Sequence, residues 1–170
     1  MAIPTWDEYF ISIANLVKTK SQDRSTQVGV VVVDPSNHIV TTGYNGFPHG
    51  VNDKCEEYHE RPAKYHITEH AERNAVYFAA NKGISLKGCT MYLDTNPFPC
   101  SDCARAIIQA GITKLIGLDK KFEGKGPWET SCYYGKEMLL EAGVDIVLLN
   151  EETLERVDLE KAKQFLDFTL

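Results

Sequence analysis

Cys89-Thr90-Met91-Tyr92-Leu93-Asp94, Pro99-Cys100-Ser101-Asp102-Cys103 and Lys114-Leu115-Ile116-Gly117-Leu118 read in turn as a strand, the start of a helix and a second strand. Pro99 suits a helix opening, where a missing N–H costs nothing, and Gly111 suits its close. A helix crossing between two such strands makes them parallel neighbours in one sheet. The alternation continues outward. Thr5-Trp6-Asp7-Glu8 is a capping box, and Trp6, Tyr9, Phe10, Ile13, Leu16 and Val17 keep helical spacing up to Lys20. The β-branched run Val28 to Val33 predicts a strand buried on both faces. Asp34-Pro35-Ser36-Asn37 turns it into a second strand over 38–44. An alanine-rich helix follows over 71–80, with a glycine cap at Gly83. Further on, the pattern predicts a helix over 131–142, a fifth strand over 144–149 and a terminal helix over 151–168. Residues 47–68 read as a long loop with one short helix, and 119–130 as a second irregular stretch. The expectation is an α/β fold: a three-layer α/β/α sandwich with a five-stranded mixed sheet, one domain over residues 1–170.

The 170 residues, 43% hydrophobic and 25% charged, are enough for one sizeable core. A net charge of −6 argues against a nucleic-acid polymer as partner, since that calls for a basic face. No apolar run reaches membrane-spanning length and Met1 to Pro4 is no signal peptide, so no membrane partner and a cytoplasmic location are expected. Five cysteines are an odd number. With Cys100 and Cys103 set aside for a metal, Cys55, Cys89 and Cys132 read as free thiols in a reducing compartment.

The chemistry lies in His70-Ala71-Glu72 and Cys100-Ser101-Asp102-Cys103. One histidine and two thiols are three soft ligands for Zn²⁺, which usually takes four, so one position stays open as in a catalytic site. Cys100 and Cys103 share nearly one helix face. His70 and Glu72 stand roughly 200° apart on a helix and meet at one point only if the helix end aims at it. Two helix N-termini converging there add positive potential that favours thiolates. Glu72 is then a spare carboxylate, able to move protons. A CxxC redox pair would leave His70-Ala71-Glu72 unexplained, and a closed structural zinc site would need a fourth ligand. Cys55 with His49 and His59 is a much weaker second metal candidate. Asn45, between Gly43 and Gly46, is placed to present an amide, and Arg24, Lys54, Arg61, Lys64 and His66 offer basic groups for a phosphate.

The H-x-E…P-C-x-x-C pattern is the signature of zinc deaminases. With Gln27-Val28-Gly29, Gly43-Tyr44-Asn45-Gly46, Pro48, Gly50, Lys64-Tyr65, Asn74-Ala75, Met91-Tyr92 and Ala110-Gly111-Ile112, the chain resembles the cytidine and deoxycytidylate deaminase superfamily. The likeness spans residues 6–149 and is greatest to the deoxycytidylate (dCMP) branch. The resemblance implies Zn²⁺ on His70, Cys100 and Cys103, Glu72 as catalytic proton carrier, and Asn45, Lys64, Tyr65 and Ala71 on the substrate side. It implies a small nucleotide as partner, a homo-oligomer, and dCTP or dTTP with Mg²⁺ as allosteric ligands. The expected reaction is hydrolysis of dCMP to dUMP and ammonia. The rival readings are deamination of cytidine, of a modified cytosine nucleotide or of a purine base, and a zinc-containing nucleotide-binding module without turnover. Two departures from the family pattern bear on the substrate base: a longer stretch over 93–99, directly before Cys100, and residues 122–128, which match no family motif.

Overall fold

The computed structural model describes residues 2–120 and 126–157. Helix α1 (Trp6–Val17) starts as its capping box requires: the Glu8 N–H donates to Thr5 Oγ1, and the Thr5 N–H to the Glu8 carboxylate. Strand β1 (Gly29–Val33) is buried at every residue. Its period of two sends Val30 and Val32 into one core and Val31 and Val33 into another. With β2 (Ile39–Tyr44), β3 (Thr90–Leu93), β4 (Lys114–Leu118), β5 (Asp145–Leu149) and β6 (Arg156–Val157), it forms one sheet of order β2-β1-β3-β4-β5-β6. β3, β4 and β5 run parallel, as the strand–helix–strand reading demands, and the other pairs are antiparallel.

Helices cover both faces. On one, Phe10, Ile11 and Ala14 of α1 pack against Val31, Tyr92, Ile116 and Leu149. On the other lie α4 (Ala71–Asn81), α5 (Ser101–Gln109) and α6 (Pro127–Glu141), with Ala75, Ile107 and Leu139 against Val30, Met91 and Leu115. Between β2 and α4 the long loop holds two single-turn helices, α2 (Glu56–His59) and α3 (Lys64–Ile67), where one was expected.

The sheet has six strands, not five. Residues 151–153 form a turn instead of opening a helix, Leu154 takes a φ of 56°, and β6 pairs with the edge of β5. The Arg156 guanidinium, 3.0 Å from the Asp7 carboxylate on α1, holds this return in place. The rest of the expected terminal helix, 158–170, lies outside the described residues. Helix α6 begins at Pro127 rather than at Ser131: Gly126 turns the chain with a φ of 61° and Pro127 occupies the first turn, where proline is well suited. Of the stretch 122–128 that matched no motif, 122–125 lie outside the described residues, and Trp128 belongs to this helix.

The long stretch before Cys100 is tied down. The Leu118 N–H donates to the Thr95 carbonyl (2.8 Å), Lys120 Nζ to the Asp94 carbonyl (3.0 Å), and the Phe98 side chain is buried. Asp94, 3% exposed, accepts the Gly29 N–H at 2.7 Å and pairs with Lys18 at 2.9 Å, joining α1, β1 and the end of β3. Asp94→Ala would leave a buried N–H without its acceptor and Lys18 without its carboxylate. We expect a loss of about 3 kcal/mol in urea unfolding, the low end for a broken buried pair because Lys18 keeps some solvent. A loss below about 1 kcal/mol would mean the pair is dispensable.

Candidate active site and metal centre

His70 and Cys100 each stand at the N-cap of a helix, α4 and α5, yet neither side chain caps it. N-cap positions favour Ser, Thr, Asp and Asn, whose oxygens accept the first helical N–H groups. Here the two side chains turn toward each other. His70 Nδ1 lies 3.5 Å from Cys100 Sγ and 3.3 Å from Cys103 Sγ. The three ligand atoms fall within 4.8 Å of one another, and among the described residues this is the one His/Cys/Asp/Glu group so arranged for a metal. Tetrahedral Zn²⁺ with its usual bond lengths separates a sulfur from a nitrogen by roughly 3.5 Å, so the donor set fits that ion.

The fold supplies this geometry from several sides. Gly46 and Glu69 exchange backbone hydrogen bonds of 3.0 and 2.8 Å, which pins the residue before His70 to the end of β2. Gly43 allows the close approach: a Cβ there would sit 2.2 Å from the Ala71 carbonyl oxygen. The Glu69 carboxylate accepts the His70 N–H (2.8 Å) and the Arg73 Nε–H (2.6 Å), and Arg73 reaches Asp102 on α5 at 3.5 Å. Arg73 thus ties the two ligand-bearing helices together beside the thiols.

Cys100 and Cys103 are 5% and 0% exposed. The hydrogen bond with Cys103 pushes Cys100 down to about 4, His70 helping, while the same bond and burial raise Cys103. Burial works to lower His70, but the Cys100 hydrogen bond and the Glu72 carboxylate outweigh it and raise it. Glu72 is buried beside these groups with its side chain within reach of Cys103, and burial raises its carboxyl above the usual range.

The remaining candidates fall in two places. Ala71 opens α4 next to His70, whereas Asn45 and Lys64 sit in a network on the loop side. Asn45 Oδ1 accepts the Val28 N–H and the Ser21 hydroxyl at 2.8 Å each, and its Nδ2 donates to the Thr26 carbonyl at 2.7 Å. Lys64 Nζ pairs with Asp23 at 2.7 Å and with the Ser25 hydroxyl. Burial works to raise Asp23, but Lys64 and the Thr26 and Ser25 N–H groups prevail and lower it. Both side chains therefore brace the 21–27 turn. Tyr65 is exposed beneath the Arg61 guanidinium. The basic residues do not gather as one cluster: Arg24 and Lys64 line a small cleft with Gln22, Asp23, Phe47 and His59, while Lys54, Arg61 and His66 lie outside it. His59 Nε2 donates to the Asp53 carbonyl oxygen at 2.8 Å, and Cys55, His49 and His59 form no group arranged for a metal among the described residues.

Helix α6 contributes two residues that the sequence reading did not place at the metal site. The Trp128 ring meets the His70 ring edge to face, centroids 5.4 Å apart. Cys132, 1% exposed, clusters with Cys100 and Cys103, and burial pushes its thiol up to about 12. Nothing local in the sequence marks them, since their role depends on where α6 docks.

A family model for the cytidine and deoxycytidylate deaminase zinc-binding region matches residues 4–118. The chain is 38% identical over 153 residues to an uncharacterized deaminase of Aliivibrio fischeri, covering 90% of this chain and 99% of that one. It is 41% identical over 123 residues to the deoxycytidylate deaminase of Mus musculus, covering 69% of this chain and 66% of that one. Among solved structures, the dCMP deaminase of cyanophage S-TIM5 in complex with dCMP and dUMP superimposes with a TM-score of 0.68 at 25% identity, covering 88% of this chain and 100% of that one. No helix among the described residues is long and apolar enough to cross a membrane. With the His-Cys-Cys donor set and the buried glutamate inside the matched region, the chain belongs to the cytidine and deoxycytidylate deaminase family.

Proposed function

We propose that this chain hydrolyses dCMP to dUMP and ammonia, with Zn²⁺ held by His70, Cys100 and Cys103. The observation that carries the reading is one imidazole and two thiols converging beside a buried, non-ligating carboxylate. Zn²⁺ in such a site lowers the pKa of water to about 7 and so supplies a nucleophile at neutral pH. Glu72 takes the proton released and delivers it to N3 of the cytosine ring as C4 is attacked. Glu72 then takes the remaining proton from the oxygen now bonded to C4 and passes it to the exocyclic nitrogen; the C4–N bond breaks as C4=O forms, and ammonia leaves. The Ala71 N–H is among the four amides at the start of α4 that lack a partner within the helix, which leaves it free to donate to the substrate.

On the substrate side, Tyr65 is a direct contact, while Asn45 and Lys64 act by holding the 21–27 turn that carries Arg24. The same reading takes residues 1–170 as one deaminase domain in the cytoplasm. It also includes a homo-oligomer and regulation by dCTP or dTTP with Mg²⁺, both resting on the family resemblance. Sedimentation of the purified protein with and without those nucleotides tests the last two.

Ammonia release from dCMP, CMP, deoxycytidine, dCTP and guanine tests the substrate. We expect dCMP to be the best of the five. Arg24→Gln, a change at an exposed side chain, should lower kcat/KM for dCMP roughly 10- to 100-fold, the value of one charge-assisted contact, and leave deoxycytidine unchanged. Equal kcat/KM for deoxycytidine and dCMP in the parent enzyme would overturn the nucleotide assignment. Zinc binding without ammonia release from any of the five would favour a binding module.

A further inference from the structure

We infer that Ser131 and Gly135, one turn apart on α6, form a seat that fixes Cys100 in its ligating position and so sets the affinity of the metal site. The inference rests on the zinc reading above. Cys100 occupies the N-cap of α5 but turns its sulfur toward His70, so the start of this helix must find hydrogen-bond acceptors elsewhere. Ser131 provides one. Its Oγ accepts the Ser101 N–H at 3.1 Å, and the two serine hydroxyls lie 3.0 Å apart.

Gly135 provides contact. A Cβ built on it would stand 2.2 Å from the Pro99 carbonyl oxygen and 3.1 Å from the Cys100 carbonyl carbon. Both atoms are main chain, so no side-chain rotation relieves the clash. Either α6 or the Pro99-Cys100 peptide must move. Between the two seat residues, the buried Cys132 fills the space behind Cys100 and Cys103. The other side of Cys100 faces His70. The ligand peptide is thus held between α6 and the imidazole, and a shift at Gly135 is transmitted to the sulfur. Ser131 and Gly135 are positioning residues, touching neither metal nor substrate.

The test measures zinc affinity by competition with a chromophoric chelator, and the thiolate charge-transfer spectrum of the Co²⁺-loaded protein. Supporting groups of this kind typically change metal affinity 10- to 100-fold. Gly135→Ala should weaken zinc within that range and alter the Co²⁺ spectrum. Ser131→Ala should weaken zinc, and Ser131→Thr, which keeps the hydroxyl, should restore it. Gly29→Ala is the control. Its Cβ would stand 2.1 Å from the Ala14 carbonyl oxygen, as severe a clash but on the α1 side of the sheet. It should lower stability and leave zinc affinity unchanged. If Gly135→Ala fails to fold, the Ser131 pair decides alone. Unchanged zinc affinity and Co²⁺ spectrum in Ser131→Ala, or equal losses in Gly135→Ala and Gly29→Ala, would overturn the seat. A parent protein that binds no stoichiometric zinc would instead overturn the metal reading itself, so the two failures are distinguishable.

Discussion

Glu72→Gln is expected to retain one zinc and the parent fold while losing turnover by roughly 10⁴-fold, the upper end for general acid–base catalysis. The upper end is appropriate because one carboxylate serves each proton transfer and no second acid stands in the described site to replace it. His70 is engaged with both sulfurs, Glu69 holds the His70 N–H and Arg73, and Asp102 lies beyond Arg73. Glutamine has nearly the same shape, so packing around the buried position is preserved. It also carries no charge, so the cost of burying a carboxylate, seen in the raised pKa of Glu72, disappears. Metal content, thermal unfolding and single-turnover kinetics on one preparation separate these effects. A variant with full zinc and kcat within about 10-fold of the parent would remove Glu72 from the chemistry.

The parts of the fold that could be read from sequence are those set by local rules. The capping box at Thr5 and Glu8 forms as written, because both partners lie within one turn. The run from Val28 to Val33 has no polar face, and the strand it forms is covered by α1 on one side and α4 on the other. The order strand, Cys-bearing helix, strand dictates the parallel pairing of β3 with β4. His70 and Cys100 were legible as metal partners because each begins a helix, and two helix starts are easily aimed at one point.

What escaped the reading depends on docking between distant segments. The short β6 exists because Arg156 finds Asp7 on α1 and because β5 has an edge to pair with. No spacing within 151–157 announces either condition. Asn45 reads as a substrate-side residue because it stands between Gly43 and Gly46, and Lys64 because it is basic, but neither signal says what else each side chain holds. The structure gives them Ser21, Asp23 and Thr26 as partners across the chain. Gly135 lies inside a helix, where glycine costs about 1 kcal/mol of helix stability relative to alanine. A glycine retained at that cost is a hint of close approach, but only the position of the Pro99 carbonyl says to what.

Removing the metal should have a larger effect on the fold than any single change outside the site. His70 begins α4 and Cys100 and Cys103 begin α5, so a shared ion would tie together two helices whose N-caps have no capping side chain. An ion that binds only the folded state at 1,000 times its Kd contributes about 4 kcal/mol, a large share of the roughly 5–15 kcal/mol that stabilises a typical domain. Chelation of the parent protein should therefore lower its Tm by an amount that depends on free zinc concentration. Cys103→Ala should start at the chelated Tm or below it, because it also empties a fully buried site, and should respond to neither chelator nor added zinc. Cys103→Ser keeps most of the volume and separates the two contributions: it should also lose the zinc response while unfolding closer to the chelated parent. Arg73→Ala supplies the contrast, since it breaks the local Glu69 pair and the Asp102 contact that joins the same two helices, and leaves all three ligands in place. It should lower the Tm yet keep the response to zinc. A parent protein whose Tm is indifferent to chelator would show that α5 is held by α6 and the core without help from the ion.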